Sequence, residues 1–293
     1  LIVQHGVSHQ KEEIVRYRDY LSASVIITAL LFIGIRPASA AGYPNVSFVA
    51  TDYAFSGPDS IQAGLVSVHV LNKGKDLHHI QFLRLDKGKT LKDFVEAAKA
   101  DPHVIYGNIG WVKFEGGPNA AIPGTSSTAV MSLEPGQYVV ACIIPSPKGV
   151  PHVNLGMVKA LTVKGPATAK ISEPKASVTI TAHDFNFSPD KPIKAGPQTI
   201  RFNNAGTQPH EVLVVQLPPG KTMQDFAAGF APGATGPPPG KPIGGLTGVY
   251  KGGHEYFTAN FTPGHYGLIC FFEDAAKKAP HFALGMTYEF DVH

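Results

Sequence analysis

The sequence predicts an all-β protein that builds the same unit twice, and three observations carry that reading. Gly (31) and Pro (25) are plentiful and the strand-like runs between them are short, which favours sheets and turns over helices. The 293 residues suffice for two domains of ordinary size. Residues 46–74, VSFVATDYAFSGPDSIQAGLVSVHVLNKG, align without a gap on residues 178–206, VTITAHDFNFSPDKPIKAGPQTIRFNNAG, at an offset of 132. Such internal repetition is the first thing to settle, because missing it misreads the whole fold.

The first 40 residues read as an export signal. Arg16 and Arg18 precede an apolar run from Val25 to Ile35, and Ala38-Ser39-Ala40 supplies an A-x-A cleavage pattern. The run is 11 residues, short for a membrane span of ~20. A mature protein starting near Ala41, periplasmic or secreted and without stable membrane insertion after cleavage, is the expectation. Only 16 % of residues are charged and the formal net charge is +3, which argues against nucleic-acid binding, since that needs a clustered basic face.

Each repeat then unfolds in the same order. VSFVATDYAF, LVSVHVLN, VTITAHDFNF and QTIRFNN alternate apolar and polar residues, as half-buried strands do. Shared positions include Asp52/Asp184, Phe55/Phe187, Ser56/Ser188 and Asn72/Asn204. Residues 90–98, and their partner segment from Thr222, predict a short helix or turn with threonine as cap. The Pro-Gly pairs at 135 and 263 signal turns before the strand-like runs that end in Cys142 and Cys270. Residues 41–163 form the first predicted domain and 178–293 the second. Residues 164–177, without apolar periodicity, form the linker. Ala231–Gly245 reads as a long Gly/Pro-rich surface loop.

The chemistry sits in the segments that follow those cysteines. CIIPSPKGVPHVNLGM carries Cys142, His152 and Met157, and CFFEDAAKKAPHFALGM carries Cys270, His281 and Met286. Both His-to-Met steps are five residues. A thiolate, an imidazole and a thioether together suit copper better than hard cations, and zinc rarely uses methionine. A second histidine comes from upstream: Asn72 to His78 aligns with Asn204 to His210, and each His opens an apolar stretch. His79 is the fallback for His78. Glu211 stands opposite it in the repeat, and a period of two sends it to the other strand face. The predicted metal ligands are therefore His78, Cys142, His152 and Met157, then His210, Cys270, His281 and Met286. A Cys142–Cys270 disulfide is the competing use of two cysteines in an exported chain, but equivalent places in two repeats put each thiol in its own core.

These motifs, N-x5-H, P-G-x-Y-x3-C and H-x4-M before a strand, resemble the cupredoxins, the blue-copper fold of plastocyanin and pseudoazurin. The resemblance covers each repeat almost end to end. It implies two tandem Greek-key β-sandwiches, each holding one type 1 copper by His, Cys and His with a weak axial Met. The Cys-to-His loops, with nine and ten intervening residues, are longer than in small cupredoxins and similar to that of the copper nitrite reductases. By that analogy His152 and His281 lie near the surface as electron ports, with Pro151 and Pro280 stiffening the loops. Gly156 and Gly285 are expected to let the backbone pass close to the metal.

Copper nitrite reductases and two-domain laccases place a His beside the Cys and add histidines for a catalytic copper. Here the neighbours are Ala141 and Ile143, Ile269 and Phe271, and no His-x-His pair occurs in either repeat. The expected activity is one-electron transfer with a redox partner protein rather than enzymatic turnover. The alternatives are a copper-storage module without redox partners and a copper-free interaction module. Related two-domain proteins often form trimers, so a homo-oligomer is carried as an expectation.

Overall fold

The alternation read from the sequence becomes strands because it buries one side chain in two along each run. In β1 (Asn45–Thr51) Val46, Phe48 and Ala50 point inward while Asn45, Ser47 and Thr51 face solvent. The computed structural model describes residues 42–107, 109–166, 171–231 and 236–293. The predicted export signal at residues 1–40 lies outside them. The first half continues with β2 (Ala54–Ser56), β3 (Ser60–Gln62), β4 (Gly64–Asn72), β5 (Gln81–Leu85), β6 (Val112–Phe114), β7 (Ser126–Leu133), β8 (Gly136–Ala141) and β9 (Val158–Lys164). The second half has β10 (Val178–His183), β11 (Asn186–Pro189), β12 (Gly196–Asn204), β13 (His210–Leu217), β14 (Lys241–Val249), β15 (His254–Phe261), β16 (Gly264–Ile269) and β17 (Thr287–Val292).

The repeat in sequence is a repeat in register. β1 runs parallel to β4 with Val46 opposite Val68, and β10 runs parallel to β12 with Val178 opposite Ile200. Each half sets a strand group of this kind against a second sheet. In the first half the second sheet has the order β3-β9-β8-β5-β6, and in the second half β14-β13-β16-β17. Val46, Phe48, Val66 and Val68 from one layer pack with Phe82, Tyr138, Val140 and Leu161 from the other. The protein is all-β, and each half is a sandwich.

The halves are not strung loosely. β7 pairs antiparallel with β15, Val130 opposite Tyr256, which merges the outer layers into one eight-stranded sheet. Residues 115–119 lie along β14 through isolated bridges at Glu115–Val249 and Pro118–Leu246. One apolar cluster then contains Leu83, Phe114 and Val139 of the first half with Val212, Phe257 and Phe272 of the second. Burying a side chain such as Phe272 is worth about 1.5–3 kcal/mol, so this shared core ties the halves together.

The predicted helices form. α1 (Leu91–Ala100) and α2 (Met223–Ala228) each start with a capping box, Thr90 with Asp93 and Thr222 with Asp225. One expectation needs correction. Residues 241–245 of the predicted Gly/Pro loop belong to β14, where Gly244 and Gly245 take φ of +128° and +131° against β13. A Cβ at Gly245 would strike the Val212 carbonyl. Glycine is needed here for close strand approach, so its abundance marks a strand contact and not a loop. Among the described residues no helix is long and apolar enough to cross a membrane.

Candidate metal centres

In each half the Cys-to-Met loop converges with the histidine that follows the Asn turn. Cys142 follows β8 directly, and Cys270 follows β16. A four-residue 3-10 turn, His152–Leu155 or His281–Leu284, then presents the downstream histidine. The methionine closes the loop on the cysteine: Cys142 N–H donates to Met157 O (3.2 Å) and Met157 N–H to His152 O (2.9 Å). The same pair of bonds recurs in the second half, Cys270 to Met286 (3.3 Å) and Met286 to His281 (2.9 Å).

The upstream histidine is fixed by the Asn that precedes it. The Asn204 amide donates to Gln208 O and Val249 O, both at 2.8 Å, and its oxygen accepts Gly206 N–H at 2.9 Å. Asn72 makes the same three bonds to Asp76 O, Ala121 O and Gly74 N–H. The N-x5-H spacing is thus a folded loop that aims the imidazole. His210 opens β13 as expected. His78 instead forms an isolated bridge to Ala121, and the regular strand β5 starts only at Gln81.

In the first centre the two bare nitrogens face each other: His78 Nδ1 lies 3.2 Å from His152 Nδ1. Cys142 Sγ lies 3.5 Å from His152 Nδ1 and 4.0 Å from His78 Nδ1. In the second centre His210 Nδ1 and His281 Nδ1 are 3.1 Å apart, and Cys270 Sγ is 3.4 Å from His281 Nδ1. Ordinary metal–imidazole and metal–thiolate bonds of about 2.0–2.3 Å place such donors roughly 3.3–3.8 Å apart around one ion. All six side chains are fully buried. Among the described residues, these are the two groups of three His, Cys, Asp or Glu side chains whose ligand atoms lie within 4.8 Å of one another.

Electrostatics favours a cation at each point. His78 Nε2–H donates to Asp52 Oδ1 (3.1 Å) and His210 Nε2–H to Asp184 Oδ1 (2.8 Å). A carboxylate only accepts, so Nε2 carries the proton and Nδ1 keeps its lone pair for the centre. Burial pushes the Cys142 thiol up to about 12 and the Cys270 thiol well above its ordinary value. Burial also pulls His152 and His281 down to about 4, with the facing histidine adding to the effect. Without an ion the sulfurs stay protonated and the imidazoles neutral. A positive ion is what would hold each sulfur as thiolate. Both cysteines are free, so no disulfide consumes them. The thiol, neutral imidazoles and paired carboxylates fit a soft first-row ion.

Two expectations are corrected. His152 and His281 do not reach the surface; both are fully buried. Tyr53 lies edge-on to His152 with ring centroids 5.0 Å apart, and Phe185 covers His281 in the same way at 5.2 Å. These two lids occupy equivalent turns at φ of +68° and +69°, a conformation uncommon for aromatic residues and a local strain kept in both halves. Gly156 and Gly285, for their part, have open space at the Cβ position, with only Phe185 O at 3.7 Å from the latter. They are glycine because each ends its 3-10 turn in the left-handed region, at φ of +101° and +109°.

His79 stays out of the ligand group. Its Nε2 accepts Ile143 N–H at 3.0 Å, bracing the peptide after Cys142. The sequence marked Asp52 and Asp184 as shared positions without a role; their gapless equivalence 26 residues before each upstream histidine was the available signal. Gly206 serves the same contact: a Cβ there would overlap both His210 Nε2 and Asp184 Oδ1. Gly206→Ala is therefore expected to weaken metal binding in the second centre about 10–100-fold, the usual cost of losing a partner that orients a ligand. Competition titration in a Cys142→Ser background, where only the second centre can load, reads this loss directly.

A scan against protein-family models and a search of curated proteins give no match. Solved structures do resemble parts of the chain. Reduced auracyanin from the photosynthetic bacterium Roseiflexus castenholzii is 18 % identical over 41 % of this chain and 97 % of its own, with a TM-score of 0.30. The azurin Az-iso2 of Methylomonas sp. strain J is 17 % identical over 42 % and 98 %, at 0.27. A multicopper oxidase is 14 % identical over 85 % and 88 %, at 0.24.

Proposed function

We propose that this chain binds one type 1 copper in each half and carries single electrons between protein partners. The observation behind this is the twice-repeated buried His-Cys-His group with Nδ1 atoms 3.1 or 3.2 Å apart. His78, Cys142 and His152 would hold one ion and His210, Cys270 and His281 the other, with Met157 and Met286 as the weak fourth ligands. Copper bound there would supply a one-electron couple, its potential tuned by the thioether and the apolar shell around the cysteine sulfur.

The chain's part is to keep the ligand set still. Asp52 and Asp184 hold the upstream imidazoles, the backbone bonds of Met157 and Met286 hold the loops, and Tyr53 and Phe185 keep water off the downstream imidazoles. A set that cannot rearrange suits both oxidation states moderately, so little moves when the electron arrives. Carrier rather than oxidase is the reading, since the sequence beside both cysteines lacks the extra histidines of the catalytic enzymes. An exported location and a homo-oligomer belong to the same proposal. Metal analysis with the visible spectrum tests it: two coppers per chain, strong absorption near 600 nm in the Cu(II) form and bleaching by a one-electron donor are expected. A chain that binds copper without that colour, or is not reduced, would be a storage protein instead.

A further inference from the structure

The repeat is broken at one buried position beside each centre. His79 follows His78, and Glu211 follows His210. Both do the same local work. His79 Nε2 accepts the N–H of Ile143, the residue after Cys142, at 3.0 Å. Glu211 Oε1 accepts the N–H of Phe271, the residue after Cys270, at 2.7 Å. The two unlike side chains then meet through a third. His79 Nδ1–H donates to Asn119 Oδ1 (3.3 Å), and Asn119 Nδ2–H donates to Glu211 Oε2 (3.3 Å).

We propose that His79, Asn119 and Glu211 are positioning residues that couple the two metal centres, so that filling one favours filling the other. This rests on the copper reading above. Every donor and acceptor in the chain is specified. His79 must carry its proton on Nδ1, because Nε2 accepts a peptide N–H. Asn119 is held in one orientation because its Oδ1 also accepts Ala120 N–H at 2.8 Å and its Nδ2 also faces Leu246 O at 3.1 Å. All three side chains are 3–4 % exposed. A satisfied buried network of this kind is stiff and expensive to break. Neither two histidines of this tautomer nor two carboxylates could make it: the linking amide needs an acceptor on one side and a donor on the other.

The coupling follows from what loading does. An ion fixes Cys142 and hence the Ile143 peptide, and this fixes His79. Asn119 and Glu211 pass the constraint to the Phe271 peptide and the Cys270 loop. Ordering needed to fill the second centre is then already in place, which gives positive cooperativity without a change of fold. Linkage makes the effect mutual.

Anaerobic Cu(I) titration against a coloured chelator tests this, since exchanging Cu(I) for a thiol proton leaves the charge unchanged. The second centre of the intact chain should bind about fivefold tighter, or more, than in Cys142→Ser. Asn119→Leu should bring that ratio close to one. A merely structural role would weaken both affinities and leave the ratio alone. Glu211→Gln serves if Asn119→Leu does not fold, because either orientation of the new amide sets N–H against N–H at one of its two contacts. A second readout is amide exchange at Phe271, which should slow when only the first centre is loaded in Cys270→Ser, and not when Asn119→Leu is added. An unchanged ratio in a folded bridge variant, or Phe271 exchange indifferent to the first centre, overturns the coupling alone. A chain that takes up no copper overturns the functional reading and the coupling with it.

Discussion

Cys142→Ser and Cys270→Ser, made separately, are each expected to lower the copper content at saturation from two ions per chain to one, and the double variant to none. The cysteine sulfur is the strong soft ligand of each set and the only ligand that becomes an anion on binding. A serine hydroxyl in the same buried place stays protonated and binds copper weakly. Each single variant should keep about half of the visible absorption, because the ligand atoms of the two centres come from separate loops. The folded state should survive the change. Cys270 Sγ accepts Glu211 N–H at 3.5 Å, a contact that a hydroxyl oxygen can also make. Metal analysis, the visible spectrum and a denaturant melt of the metal-free variants check the three parts of this result. Loss of both coppers from either single variant would place the ligands in one shared site and contradict the two-centre reading.

The pH dependence should be large and of definite sign. In the metal-free chain burial keeps Cys142 protonated to about 12 and pushes the Cys270 thiol well above its ordinary value. His152 and His281 stay neutral down to about 4. Loading near neutral pH therefore releases one thiol proton per centre and none from the imidazoles. Affinity for copper should rise about tenfold per pH unit from pH 6.5 to pH 8. At lower pH the imidazoles take protons as well, His152 and His281 near 4, and affinity should fall more steeply. Chelator competition at fixed ionic strength reads this slope, and a flat profile would mean the sulfurs are not the ligands.

The metal-free fold has the complementary signature. His152 and His281 have folded values below the ordinary 6.5, so the unfolded chain binds more protons there, and stability is lost as pH falls from 6.5 towards 4. Its thiols have folded values above the ordinary 9, so stability is lost as pH rises beyond 9. Copper should widen the stable range at neutral and alkaline pH, since an ion bound only by the folded state adds to its stability. Urea midpoints across pH, with and without copper, would show whether both edges move this way.

Much of the site was legible because its ligands are chemically distinctive and occur twice. His78, Cys142 and His152 could be picked out against His69, His103 or His254 only because the latter have no histidine opposite them in the other half. The supporting residues were harder to read. Asp52, Tyr53, Asn119 and Glu211 are ordinary residues whose role is a contact with something distant in sequence, and no spacing rule marks such a contact. The expected surface ports show the limit from the other side. Nothing local to His152 or His281 announces the Tyr53 and Phe185 rings that cover them from a turn about 100 residues away.

By itself the sequence determined the all-β character, the doubled unit and the residue types of the two His-Cys-His groups, since strand alternation, turn residues and ligand softness are local properties that survive without a fold. Tertiary structure decided how the halves join through β7 and β15, which imidazole nitrogen faces each centre, and that His79 and Glu211 meet through Asn119. Those outcomes depend on which groups are brought within hydrogen-bonding reach and shut off from water, and only the packed chain sets that.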